Sequence, residues 1–166
     1  MVTRYAKILM TLALSAFAFL VTFNNITDYG SNFEFVKHVL SMDTTFPGNK
    51  AMYRAIETPA LWHAGYWGII AGEGLTFLLL LTGALKMFAA RTASGPEFDA
   101  SKKFMIIGAT MGFMVWFFGF MVVGAEWFLM WQSPTWNGQE AAFKFYITLV
   151  AVLIFVVQPE RDGVTP

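Results

Sequence analysis

The chain has 166 residues, of which 57% are hydrophobic, 17% aromatic and 13% charged, a balance foreign to soluble globular domains. Lys and Arg number 11, equal to Asp and Glu, so no global charge points to nucleic acid or another polyanion. The absence of cysteine removes disulfides, thiolate metal sites, iron–sulfur clusters and thiol nucleophiles.

A membrane-spanning helix needs about 20 mostly apolar residues, and four windows of that kind occur. The first covers about residues 5–23 and opens after Arg4. Its start resembles a signal peptide with Ala16-Phe17-Ala18 as a cleavage site, but apolar sequence continues beyond it, which favours a retained anchor. The segment 24–58 is too long for a simple connector. Within it, residues 32–42 place Phe33, Val36 and Leu40 beside Phe35, Val39 and Met42, with Glu34, Lys37 and His38 opposite, the pattern of an amphipathic surface helix. Phe46-Pro47-Gly48-Asn49 reads as a turn, and Met52 to Ile56 as a brief helical turn.

The second span covers about 59–88, with Thr58 as N-cap and Pro59 at the first helical position. At 1.5 Å per residue it is about 45 Å long against a hydrocarbon core of about 30 Å, so it tilts or projects, most naturally at its Trp62 and His63 end. The third covers about 104–131, uncharged until Glu126, and the fourth about 141–157. Pro134 and Gly138 make the turn between them short, so these helices are antiparallel neighbours. The expected fold is therefore an all-α integral membrane four-helix bundle forming a single domain.

Orientation follows from the basic residues. Arg4, Lys7, Lys86, Arg91, Lys102, Lys103 and Arg161 fall on one side of this topology, and Lys37, Lys50, Arg54 and Lys144 on the other. The positive-inside rule puts both termini in the cytoplasm and the 24–58 segment outside.

An ionisable group at mid-membrane costs about 2.5–3.5 kcal/mol on insertion scales, which singles out Glu73 in Gly72-Glu73-Gly74, about 12 Å below the outer interface at helical rise. No Lys or Arg lies at its depth, so the expected partners are hydroxyls such as Ser15 and Thr148, which favours a protonated, hydrogen-bonding carboxyl. Two roles are open: proton relay or cation binding, and fastening helices by hydrogen bonds. Glu126 is near His63 and Lys144 in depth. These three could form a metal, quinone or proton site, or a Glu126–Lys144 salt bridge beneath a belt of Trp62, Trp67, Trp127, Trp131 and Trp136. His38 and His63 are the only histidines, and bis-histidine haem would consume both without a supporting motif. Ala64, Gly68 and Gly72, with Gly108 and Gly112, form small-residue faces that allow close helix approach. There is no phosphate-cradling loop, no HExxH and no Ser-His-Asp arrangement.

The run Phe35-Val36-Lys37-His38-Val39-Leu40-Ser41-Met42-Asp43-Thr44-Thr45-Phe46-Pro47, the run from Gly124 to Gln139 and Glu73 resemble a bacterial family of predicted small integral membrane proteins, a domain of unknown function. The resemblance spans nearly the whole chain. It implies four spans and an inner-membrane location, and attaches no activity to any residue. It draws attention to two outer segments, with Asp43 in one and Trp131, Gln132 and Trp136 in the other, as either a packed cap or a docking surface. Three functional classes remain at this level. The first is a non-catalytic accessory or assembly subunit of a respiratory or photosynthetic membrane complex, with no cofactor of its own. The second is a small oligomeric ion or proton channel or carrier using Glu73, and the third a quinone- or metal-binding subunit.

Overall fold

A computed structural model describes residues 1–160, so Arg161 lies outside the described residues. Among these every regular element is helical, with no strand, and four helical stretches are long and apolar enough to cross a membrane. Helix α1 runs Val2–Thr27, α2 Tyr29–Ser41, α3 Pro59–Ala89, α4 Gly95–Ser101, α5 Lys103–Phe113 and α6 Gln139–Val157. Arg4 in the first turn of α1 meets Glu160 just beyond α6, so the start of α1 and the end of α6 share one end of the bundle. We call it the proximal end and the opposite one distal.

The bundle is a ring in which α1 packs on α3, α3 on α5, and α5 with its continuation on α6, which closes back on α1. Glycines set the α3–α5 spacing. A Cβ on Gly83 would lie 2.5 Å from the Met105 backbone nitrogen, and one on Gly108 2.9 Å from that of Leu80, so these backbones nearly touch. The small-residue face of α3 thus splits in two: Gly72 is covered by Val115 of the same chain, whereas Gly68 has nothing within 4 Å of a notional Cβ and Ala64 is exposed. Leu80, Ala84, Met87, Met105 and Ala109 are essentially sealed from the surface below this level, while Leu9, Leu20, Leu78, Leu85 and Ile154 face outward. An apolar exterior around a close-packed interior is the arrangement a lipid solvent demands.

Three features depart from the linear reading. First, α1 extends through Thr27, beyond Phe23, and carries Asn24 and Asn25 into the helix. Second, α4 is an additional short helix between the second and third spans. Its Ser94–Glu97 capping box, with Pro96 in the first turn, is a start signal present in the sequence. Third, the third span changes its winding. From Met114 to Trp127 it follows an i→i−5 pattern, ending where Phe128 N–H donates to Val123 O at 3.0 Å, and the chain then reverses at Leu129, φ 55°. The span therefore stops at Trp127 rather than Trp131, because the reversal turns Met130 inward, where it is 2% exposed beside Ala125 and Phe128.

At the proximal end, Arg4, Lys7 and Lys102 are buried and clamp the chain ends together. Arg4 donates to Ala93 O at 2.6 Å and Arg91 O at 3.0 Å. Lys7 Nζ donates to Glu160 and to Gln158 O, both at 2.6 Å. Lys102 donates to Asp99 at 2.6 Å and also to Gln158 O at 2.8 Å. Burial pushes the Glu160 carboxyl up, but Lys7 and Arg4 outweigh it and hold the group below the ordinary carboxylate range.

Candidate functional site

The site is built around the last turn of α1. Because α1 reaches Thr27, Asn25 stands level with Glu73 of α3, and its Nδ2 donates to Glu73 Oε2 at 2.7 Å. The opposite edge of the Asn25 amide is fixed as well. Its Oδ1 accepts from Asn32 Nδ2 of α2 at 2.6 Å and lies 3.2 Å from the Tyr66 hydroxyl, which is equally close to the Asn25 carbonyl oxygen. Two donors on Oδ1 set the orientation of the amide, so the chain Asn32→Asn25→Glu73 delivers donors in one direction, toward the carboxyl. Glu73 is 2% exposed, Asn25 5% and Tyr66 1%.

Glu73 and Asn25 form the floor of a cavity of about 410 Å³ that extends to the distal loop at Thr135–Gly138. Its apolar wall includes Trp116 and Phe120 from the rewound part of the third span and Phe145 from α6. No Lys, Arg or His lines it. The second carboxyl oxygen, Oε1, receives no donor from the described residues, yet it is not among the sealed, unsatisfied side-chain atoms. It therefore faces the cavity.

This geometry revises the partners expected for Glu73. Ser15 donates to Phe77 O at 3.3 Å and Thr148 to Lys144 O at 2.7 Å, so both hydroxyls are turned onto backbone. Asn25 escapes a linear reading because a span ending at Phe23 leaves it in a loop.

The Glu126, His63 and Lys144 grouping does not assemble. Glu126 is exposed, and its side chain has no hydrogen bond or ion pair among the described residues. Lys144 pairs instead with Glu140 one turn away at 2.7 Å. His63 is taken up by α2: its Nδ1 lies 2.8 Å from the Tyr29 hydroxyl and its ring stacks on Phe33 at 4.2 Å. The physical reason is rotation about the helix axis: Gly124 and Ala125 take the buried positions of that turn, and Glu126 falls on its exposed side. His38 sits elsewhere, 2.7 Å from Asp43 and stacked on Trp136 at 4.8 Å, so the two histidines face different partners. No group of three or more metal-ligating side chains converges among the described residues.

The two distal segments pack on each other. Thr44 donates to Ser133 Oγ at 2.8 Å, Gln132 Oε1 accepts the Phe46 N–H at 3.1 Å, and Phe46 meets Trp131 edge-on at 5.7 Å. Ser133 Oγ also accepts the Trp136 N–H at 2.8 Å. Asp43 and Trp136 are joined through His38, and Arg54 lies over Trp127 at 4.6 Å while donating to its carbonyl at 3.2 Å. The result is a cap whose inner margin, Thr135–Gly138, borders the Glu73 cavity.

The model of the family described as predicted small integral membrane protein, DUF2165, matches residues 3–159. The chain belongs to this family. No curated protein and no solved structure matches it. Family membership makes the chain an integral membrane protein, in agreement with its four apolar helices, and leaves the role of the cavity to be argued from its own atoms.

Proposed function

We propose that this protein is a non-catalytic accessory or assembly subunit of a larger bacterial inner-membrane complex, and that the cavity over Glu73 is where it holds a group of a ligand or partner. The observation that carries the reading is the free Oε1 of a carboxyl 2% exposed, held by a one-way donor chain at the floor of a capped cavity. A group used only to fasten helices would have both oxygens engaged by protein, since a buried unmade hydrogen bond is costly. The orientation that accompanies this reading has the proximal end in the cytoplasm, supported by Lys86, Arg91 and Lys103 at that end. The uncovered Ala64–Gly68 surface of α3 suits the approach of another subunit's helix.

An ion path through a single chain has less support. Below Glu73, Thr76 and Thr11 donate to their own helix carbonyls at 2.8 Å, and Leu80, Met87 and Met105 fill the interior. Equal proton flux in liposomes from wild type and Glu73→Gln is the expected result. The accessory reading is tested by extracting the tagged protein from its native membrane in mild detergent and identifying by mass spectrometry what stays bound. Stoichiometric recovery with other membrane subunits, reduced by Gly68→Leu, is expected. Recovery as a lone monomer would overturn the reading.

A further inference from the structure

The cavity's hydrogen-bonding polarity defines what it can hold. One N–H of Asn32, one N–H of Asn25 and the Tyr66 hydroxyl are directed to acceptors of the same network, and Oε1 of Glu73, which receives none of them, offers the cavity an acceptor when the group is a carboxylate. A ligand carbonyl or an anion placed there would set acceptor against acceptor. A ligand bearing N–H donors would complete the set.

Charge and shape narrow the class. Glu73 is the only acid among the lining residues, and no protein cation stands beside it to neutralise it. A carboxylate withdrawn from water is compensated by a cation with good hydrogen-bond geometry. A bare calcium ion would need six to eight oxygen ligands, whereas Glu73 is the single carboxylate of a lining that includes Trp116, Phe120 and Phe145, and no group of three or more metal-ligating side chains converges among the described residues. Aromatic faces attract organic cations and pack against their apolar parts. A volume of about 410 Å³ falls at the lower end of the usual range for small-molecule sites, about 300–1,000 Å³.

We propose that the cavity binds an organic ammonium group, its N–H donated to Oε1 of Glu73 and its apolar body lying against Trp116, Phe120 and Phe145. The inference rests on the reading of this cavity as a binding site and adds the chemical class of its occupant. The group belongs either to a free amine or to a partner's side chain; both present the same chemistry to Oε1.

The test uses the full chain in lipid nanodiscs, with empty nanodiscs as the partition control and tryptophan fluorescence as the readout. The probes are 2-phenylethylammonium and its neutral counterpart 2-phenylethanol. Wild type is expected to bind the ammonium saturably and the alcohol about tenfold more weakly or less. In Glu73→Gln the side-chain oxygen can still accept from Asn25, but an amide N–H₂ is turned to the cavity. Ammonium affinity should then fall by about thirtyfold or more, the scale of removing one partner of a buried charge pair, while alcohol binding stays within about threefold. Equal wild-type affinity for the two probes, undiminished ammonium binding by the variant, or no saturable ammonium binding up to about 10 mM, the very weak end of specific affinity, would each overturn the proposal. If the variant does not fold, the wild-type comparison of the probes decides alone. Loss of discrimination with intact co-purification would remove the ammonium and leave the accessory role; the reverse pattern would leave the ammonium site and remove the accessory role.

Discussion

Replacing Asn25 by leucine removes the donor that holds Glu73 Oε2 at 2.7 Å while nearly preserving side-chain volume. Tyr66 keeps the Asn25 backbone carbonyl at 3.2 Å, and Asn32 is exposed enough to bond water. The orphaned group is therefore chiefly the Glu73 carboxyl, and a buried polar group stripped of its partner costs about 1–3 kcal/mol. Asn25→Leu should destabilise the protein by that amount. Glu73→Leu leaves Asn25 Nδ2 unpaired and should be destabilising for the same reason. The double variant Asn25→Leu/Glu73→Leu removes both ends of the bond and should be more stable than Asn25→Leu alone, giving a coupling of about 1–2 kcal/mol. The assay is reversible unfolding in mixed detergent micelles followed by circular dichroism, with all four proteins at one pH and lipid content. Additive effects, with the double variant as unstable as the two single losses combined, would refute the claim that this bond organises the site.

Gly83→Ala should destabilise by about 1–3 kcal/mol, because its Cβ would sit 2.5 Å from Met105 N and overpacking outweighs the helix-propensity gain of about 1 kcal/mol. Gly68→Ala, in open space, should be neutral or stabilising in the same unfolding assay. Because Glu160 is held below its ordinary range in the folded protein, its contribution is present above the unfolded value near 4.5 and is lost as pH falls through the lower folded value. Acid titration should accordingly release the segment after α6, seen as proteolytic sensitivity there, and Glu160→Gln should show that sensitivity already at neutral pH. Ser133→Ala removes the acceptor of the Trp136 N–H and the partner of Thr44; a loss of about 1–2 kcal/mol and a red shift in tryptophan emission from the loosened cap are expected.

Much of the fold is legible in the linear chain because a bilayer imposes a length and polarity rule on every spanning helix. Thr58-Pro59 marks the start of α3, and the Phe46–Asn49 turn forms with Gly48 at φ 76°. The basic residues serve two ends. Seven cations suggest a simple topology signal, but Arg4, Lys7 and Lys102 are buried in a clamp on the Asp99, Glu160 and Gln158 groups, a use that depends on which chain ends meet. Likewise Glu126 and His63 share a depth without sharing a neighbourhood.

What the sequence by itself determined is the membrane class, the four apolar helices and Glu73 as the ionisable group demanding explanation, because burial energetics act on each segment independently of its neighbours. Only the tertiary structure decided that α1 continues far enough to bring Asn25 to Glu73, that the third span rewinds and reverses at Leu129, and that one carboxyl oxygen is left facing a cavity. Those outcomes depend on the relative height and rotation of packed helices, which are fixed by contacts between residues distant in the chain: 48 positions separate Asn25 from Glu73.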